Sequence, residues 1–116
     1  MRDCIFCKII EGSIPSRKVY EDDQVLAFHD IQPAAPVHIL LIPKKHIASM
    51  NDVIHNDLPL IAHLHNVAQQ VAIDQQLTIS GYRLVNNCGP DAGQVVYHLH
   101  YHLLGGSILS PLGLQA

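Results

Sequence analysis

Apolar residues recur along the chain with two periods, and the changes between them divide it into elements. Residues 4–11 (CIFCKIIE) show helical spacing and stop at Gly12, with Ile14-Pro15 extended beyond. Lys18–Glu21 and Val25–His29 predict two strands around the acidic turn Asp22-Asp23. Residues 38–42 (HILLI) predict a strongly apolar strand closed by Pro43. One long helix follows, with Asp57 as N-cap and Pro59 in its first turn. Its Ile61, Leu64, Val67, Ala68 and Val71 fall at helical spacing, and it ends near Gln75 or Gln76. Residues 81–87 and 95–104 predict two further strands, joined by a Gly/Pro loop over 88–93. Short connections between consecutive strands predict an antiparallel sheet with helices packed on it, an α+β architecture. No repeat or long linker interrupts residues 1–116, which are expected to form one domain.

Composition narrows the classes. The chain is 48% hydrophobic and 15% charged, enough apolar surface for a core and too much for disorder. A net charge of −3 argues against a nucleic-acid partner. No apolar run approaches the length of a membrane helix, and the first ten residues carry Arg2, Asp3 and Lys8 rather than a signal sequence. Three cysteines make no disulfide framework, so a cytoplasmic location is expected. Histidine is the anomaly: nine residues, against seven Lys and Arg together. The only glutamates are Glu11 and Glu21, so a site in the second half must work without Glu.

The informative histidines are His98, His100 and His102, in His98-Leu99-His100-Tyr101-His102-Leu103-Leu104. In a strand all three share one face, and Leu99, Tyr101 and Leu103 share the other. A solvated face is better served by Lys, Thr or Glu, and a core by residues without polar nitrogens. Two chemistries fit: a metal site, or catalysis with one histidine as nucleophile and its neighbours as proton donors and orienters. The loop Gly89-Pro90-Asp91-Ala92-Gly93-Gln94 stands directly before the triplet. Its glycines permit a concavity of backbone N–H groups suited to phosphate. Gly105-Gly106, just after it, permits close approach of a ligand or another backbone. Asp30 at a strand end is either a turn residue or an acceptor for ribose hydroxyls. His38 shares a strand face with Leu40 and Ile42. Cys4-x-x-Cys7 places two thiols on one helix face; they are either metal ligands or small core residues.

At these residues the chain resembles the histidine triad (HIT) superfamily, specifically its Hint branch. The resemblance runs through FCKIIEGSIPS, FHDIQPAAPVHILLIPKKHI, GPDAGQ and HLHYHLL, and Gly105-Gly106 also fits that branch. It implies a five-stranded antiparallel sheet with one short and one long helix, pairing into a ten-stranded sheet across a homodimer. It implies hydrolysis of purine nucleoside phosphoramidates through a nucleotidyl-histidine on His100, with no metal needed for catalysis. His98 would supply a backbone carbonyl to His100, His102 would serve the leaving group, and His38 would support them. Phe6, Ile9, Ile14, Phe28, His29 and Ile31 would form the base pocket, and Asp30 would hold the ribose. Asn87 and Gln94 would contact phosphate, with the backbone N–H groups of Gly93, Gln94, Val95 and Val96. Relatives with a C-x-x-C imply a structural zinc on Cys4, Cys7, His46 and His98.

The chain departs from the family in two places. Many relatives carry Ser or Thr at the position of Val95, and many carry a Trp in the C-terminal tail, here Ser107 to Leu112. The first removes a hydroxyl that relatives use on the phosphate, and the second bears on leaving-group choice. The rival readings are a nucleotide sensor or scaffold with little turnover, a dinucleoside polyphosphate hydrolase, and a protein whose triad binds zinc.

Overall fold

The computed structural model describes residues 3–111; the end of the tail, with Leu112, lies outside them. Helix α1 (Ile5–Glu11) starts from Cys4, whose Sγ accepts the Cys7 N–H, and ends at Gly12 in the left-handed conformation. Strands β1 (Lys18–Glu21), β2 (Val25–His29) and β3 (Val37–Pro43) follow. Helix α2 (Leu58–Asp74) then leads to β4 (Tyr82–Val85) and β5 (Tyr101–Gly105). Short 3₁₀ turns stand at Met50–Asp52, His55–Asp57 and Pro90–Ala92. All strand pairs are antiparallel, in the order β1-β2-β3-β5-β4.

Burial on both sides explains the unbroken apolar run of β3. Val25, Ala27, Ile39, Leu41, Tyr101 and Leu103 face α2, where Leu64, Val67, Ala68, Val71 and Ala72 cover them. Leu26, Phe28, Leu40 and Ile42 face the other way and are covered by Phe6 and Ile9 of α1. Asp57 caps α2 by position only. Its carboxylate accepts from Lys45 Nζ (2.6 Å) and from the Ile54 N–H (3.2 Å) instead of the first-turn amides.

The last two predicted strands are shorter than their apolar pattern. β4 occupies the middle of 81–87, and β5 starts at Tyr101 rather than at Val95. Leu41 pairs with Tyr101, so the ladder would next bring Pro43 to Leu99. Proline has no N–H to give. Leu99 N–H donates to Ile47 O (2.6 Å), and Pro43 O lies 2.7 Å from His98 Nε2. His98 and His100 therefore precede the strand instead of lying within it. Gly106 has a positive φ, and a Cβ there would stand 2.9 Å from the Pro36 side chain. The close approach that Gly106 permits is by the chain itself.

On the α2 side, Asp22 ties three elements together. Its carboxylate accepts from Tyr20 Oη, His63 Nε2 and the N–H groups of Gln24 and Val25, at 2.7–2.8 Å. Burial raises its proton affinity, but these hydrogen bonds outweigh that and hold it well below the usual carboxylate range. Asp22→Ala is expected to cost about 1 kcal/mol, read as a lowered urea midpoint at pH 7. An unchanged midpoint would show that solvent replaces these contacts without loss.

Candidate active site

The triad histidines turn to the α1 side of the sheet, because His102 pairs with Leu40 and shares its face. A cavity of about 450 Å³ opens there. α1 and its following turn supply Phe6, Ile9 and Ile14; the turn after β2 supplies Asp30 and Ile31. Asn87, Gly93, Val95, Val96, His100 and His102 close the other end. An apolar wall at one end and convergent polar groups at the other is the usual design of a small-ligand site.

His100 is buried, and its Nδ1 lies 2.7 Å from His98 O. A ring nitrogen facing a carbonyl must donate, which leaves Nε2 with its lone pair. Burial lowers the proton affinity of His100, outweighing the carbonyl contact and the Asp30 charge, so the ring is neutral at pH 7. Asn86 Nδ2 donates to His100 O (2.9 Å) and fixes the backbone of the triad.

Hydrogen bonds also set the tautomers of His38 and His102. Ala34 N–H donates to His38 Nδ1 (2.9 Å), so neutral His38 carries its proton on Nε2. That atom is 2.9 Å from His102 Nδ1 and 3.4 Å from Asp30 Oδ2. His38 thus donates to His102, and neutral His102 carries its proton on Nε2. Burial, and then the neighbouring His100 and His38, push the proton affinity of His102 down to about 4. Asp30 is a turn residue as well as a cavity wall, since its Oδ1 accepts from Gln32 N–H (2.8 Å).

The loop before the triad divides its N–H groups. Gly93 N–H donates to Pro90 O and Gln94 N–H to Gly89 O, so these two are not available to a ligand. Among the described residues, nothing accepts from the N–H of Val95 or Val96. Gln94 is buried outside the cavity, with Nε2 donating to Ala48 O and Val96 O and Oε1 accepting from Gly89 N–H. It shapes the loop from below. Phe28 also lies beneath the cavity, edge-on to Phe6 with ring centroids 5.7 Å apart. His29 lines a smaller cleft of about 240 Å³ beside Asp30, with Arg17 and Ser16. The sequence reading missed Asn86, which follows β4 and carries no spacing signal. It also missed Leu40, Gln32, Pro15 and Ile5 of the cavity wall.

A second cluster abuts the first. Cys4 Sγ is 3.3 Å from His98 Nδ1, Cys7 Sγ is 3.3 Å from His46 Nδ1, and Cys7 Sγ is 3.6 Å from His98 Nδ1. Tetrahedral zinc with ordinary Zn–S and Zn–N bonds sets S···N separations of about 3.5 Å, so this donor set fits the ion. His98 Nε2 faces Pro43 O, which keeps the proton off Nδ1 and leaves it free to ligate. Burial depresses the proton affinity of His98 to about 4, so it is in the ligating form at neutral pH. The other histidines are elsewhere: His63 on Asp22, His65 3.3 Å from Tyr101 Oη, and His55 exposed.

The family model described as "Scavenger mRNA decapping enzyme C-term binding" matches residues 3–113. The chain is 46% identical over 110 residues to the purine nucleoside phosphoramidase of Escherichia coli, covering 95% of this chain and 92% of that protein. It is 51% identical over 108 residues to an uncharacterized HIT-like protein of Synechococcus elongatus, covering 93% and 94%. Its fold is similar to that of a HIT family hydrolase from Clostridium thermocellum, with TM-score 0.94 and 48% identity over 98% of this chain and 99% of the other. A histidine triad protein from Clostridium difficile gives TM-score 0.93 and 50% identity, with 96% of each chain covered. Among the described residues no helix is long and apolar enough to cross a membrane.

Proposed function

The chain belongs to the histidine triad superfamily and is a HIT family hydrolase, and from that premise we propose that it cleaves the P–N bond of purine nucleoside phosphoramidates. The observation that carries the reading is His100: neutral, held at Nδ1 by His98 O, its Nε2 in the same cavity as Val95 and Val96, whose N–H groups bond nothing among the described residues. The base would lie against Phe6, Ile9, Ile14 and Ile31, the ribose hydroxyls on Asp30, and the phosphate near Asn87 and the Val95 and Val96 N–H groups.

Nε2 of His100 attacks the α-phosphorus, forming an N–P bond as the P–N bond to the amine breaks. The departing amine takes a proton; water then attacks phosphorus, the N–P bond to His100 breaks, and the proton that water loses returns to the group that protonated the amine, releasing the nucleoside monophosphate and neutral His100. His102, a wall of the same cavity, would deliver the amine's proton. Burial keeps it neutral, and a phosphate anion beside it would oppose that. Substrate binding would therefore charge the acid that the leaving amine needs. Val95 offers only its backbone N–H, so no hydroxyl assists at this point.

Two structural features complete the proposal. β4 ends the strand order, leaving an edge along which a second copy would extend the sheet to ten strands. Zinc on Cys4, Cys7, His46 and His98 would pin α1 to the sheet and take no part in the chemistry.

The test is incubation with an adenosine phosphoramidate of a fluorogenic amine, beside diadenosine triphosphate. Amine release, with dinucleotide cleavage far slower, is the expected result. Faster dinucleotide cleavage would move the chain to that reaction. AMP binding without amine release would make it a sensor or scaffold.

A further inference from the structure

Helix α1 serves both clusters at once. Cys4 and Cys7 face His46 and His98, while Phe6 between them and Ile9 beyond face the cavity. Phe6 is edge-on to the rings of His98 (5.9 Å) and His100 (5.1 Å). A helix of seven residues has little stability of its own, so its position depends on what holds its side chains. Two things hold it: burial of Phe6 and Ile9 on the sheet, and the contacts of its thiols. At the far side of the thiol cluster stands His98, whose carbonyl supports His100 Nδ1. One four-residue cluster therefore grips both the cavity wall and the support of the nucleophile.

We propose that Cys4, Cys7 and His46 are positioning residues for the nucleotide site: metal held by them and His98 clamps α1 over the base end of the cavity and so sets nucleotide affinity. The ligand's identity rests on the function proposed above; the clamp itself does not. His46 is the cleanest probe. It comes from the segment after β3 and does not line the cavity. It meets Cys7 Sγ and the edge of the His98 ring, 4.9 Å between centroids, and shares a neighbouring cleft with Ile5, Val95 and Val96. If α1 is docked in about a tenth of molecules once the clamp is gone, apparent nucleotide affinity falls about tenfold.

The experiment compares zinc-loaded wild type, wild type stripped by a chelator, and His46→Ala. Bound zinc is measured by elemental analysis, AMP affinity by calorimetry, and α1 by amide hydrogen exchange. Stoichiometric zinc is expected in the wild type. Stripping is expected to weaken AMP about tenfold, to raise the phosphoramidate KM more than it lowers kcat, and to speed exchange at residues 5–11 while β2 and β3 stay protected. His46→Ala is expected to match the stripped protein and to be insensitive to chelator, which general damage to the fold would not produce. If AMP fails to bind the zinc-loaded wild type, the nucleotide reading fails, and exchange at residues 5–11 still decides the clamp. Exchange there unchanged by stripping, AMP affinity unchanged by stripping, or a wild type without bound zinc would each overturn the proposal.

Discussion

His100→Gln is expected to lower kcat for an adenosine phosphoramidate by about 10⁴-fold or more, with KM changed little. The size follows from the role. A positioned imidazole nitrogen replaces water as nucleophile, and removing it deletes the covalent route. Gln offers no comparable lone pair, yet it fills much of the same space under Phe6. The other cavity walls are untouched, so binding should survive. Burial keeps the ring neutral and His98 O holds its Nδ1, so the wild-type nucleophile is ready at pH 7 without a separate base. Wild type quenched in alkaline denaturant during turnover, where an N–P bond to histidine survives, should carry one nucleotidyl group by intact mass, and His100→Gln none. A variant within tenfold of wild-type kcat, or nucleotidylation that persists in it, would remove His100 from the reaction.

How the site could be read in advance follows from which of its contacts are local. The alternation of His98, His100 and His102 against Leu99, Tyr101 and Leu103 is a one-dimensional signal, and the faces it assigns are observed for His100 and His102 in the cavity and for Tyr101 and Leu103 against α2. The strand boundaries β1 and β2 were equally legible, because each is bounded by turn chemistry in the sequence. The start of β5 was not, because it is set by Pro43, far away in the chain, which has no N–H to continue the ladder beyond Leu41 and Tyr101. Side-chain direction was hidden for the same reason. Gln94 sits in a loop whose glycines suggest a ligand, yet its amide bonds Ala48 O, a residue 46 positions away. Asn86 and Asn87 are indistinguishable by type; only the fold sends one to His100 O and the other to the cavity. The chain His38–His102 depends on β3 and β5 being neighbours, which no local pattern states.

His102 makes the stability of the protein acid-sensitive in a window that lies mostly above the carboxylate range. Its ring keeps an unperturbed 6.5 in the unfolded chain and about 4 in the folded one. Burial is the main cause; His100 and His38 add to it, and Asp30 opposes it. Between those two values the unfolded chain binds more protons than the folded one, so stability falls as pH falls. The contribution is complete above 6.5, declines through the window and stops changing below about 4. The full shift sets a ceiling of about 3 kcal/mol, and the ring's partial exposure screens this to about 2 kcal/mol. His102→Gln removes the titration while keeping a polar side chain beside His38. Urea unfolding at pH 7 and pH 4.5, with chelator in every sample so that metal loss is common to both, isolates the term. The wild type is expected to lose about 1.4 kcal/mol more than His102→Gln between the two conditions, which span most but not all of the window. Equal losses would mean that the folded ring accepts a proton as readily as the unfolded one. In that case His102 would already be charged below neutrality without substrate, and the leaving-group proton would not depend on phosphate binding.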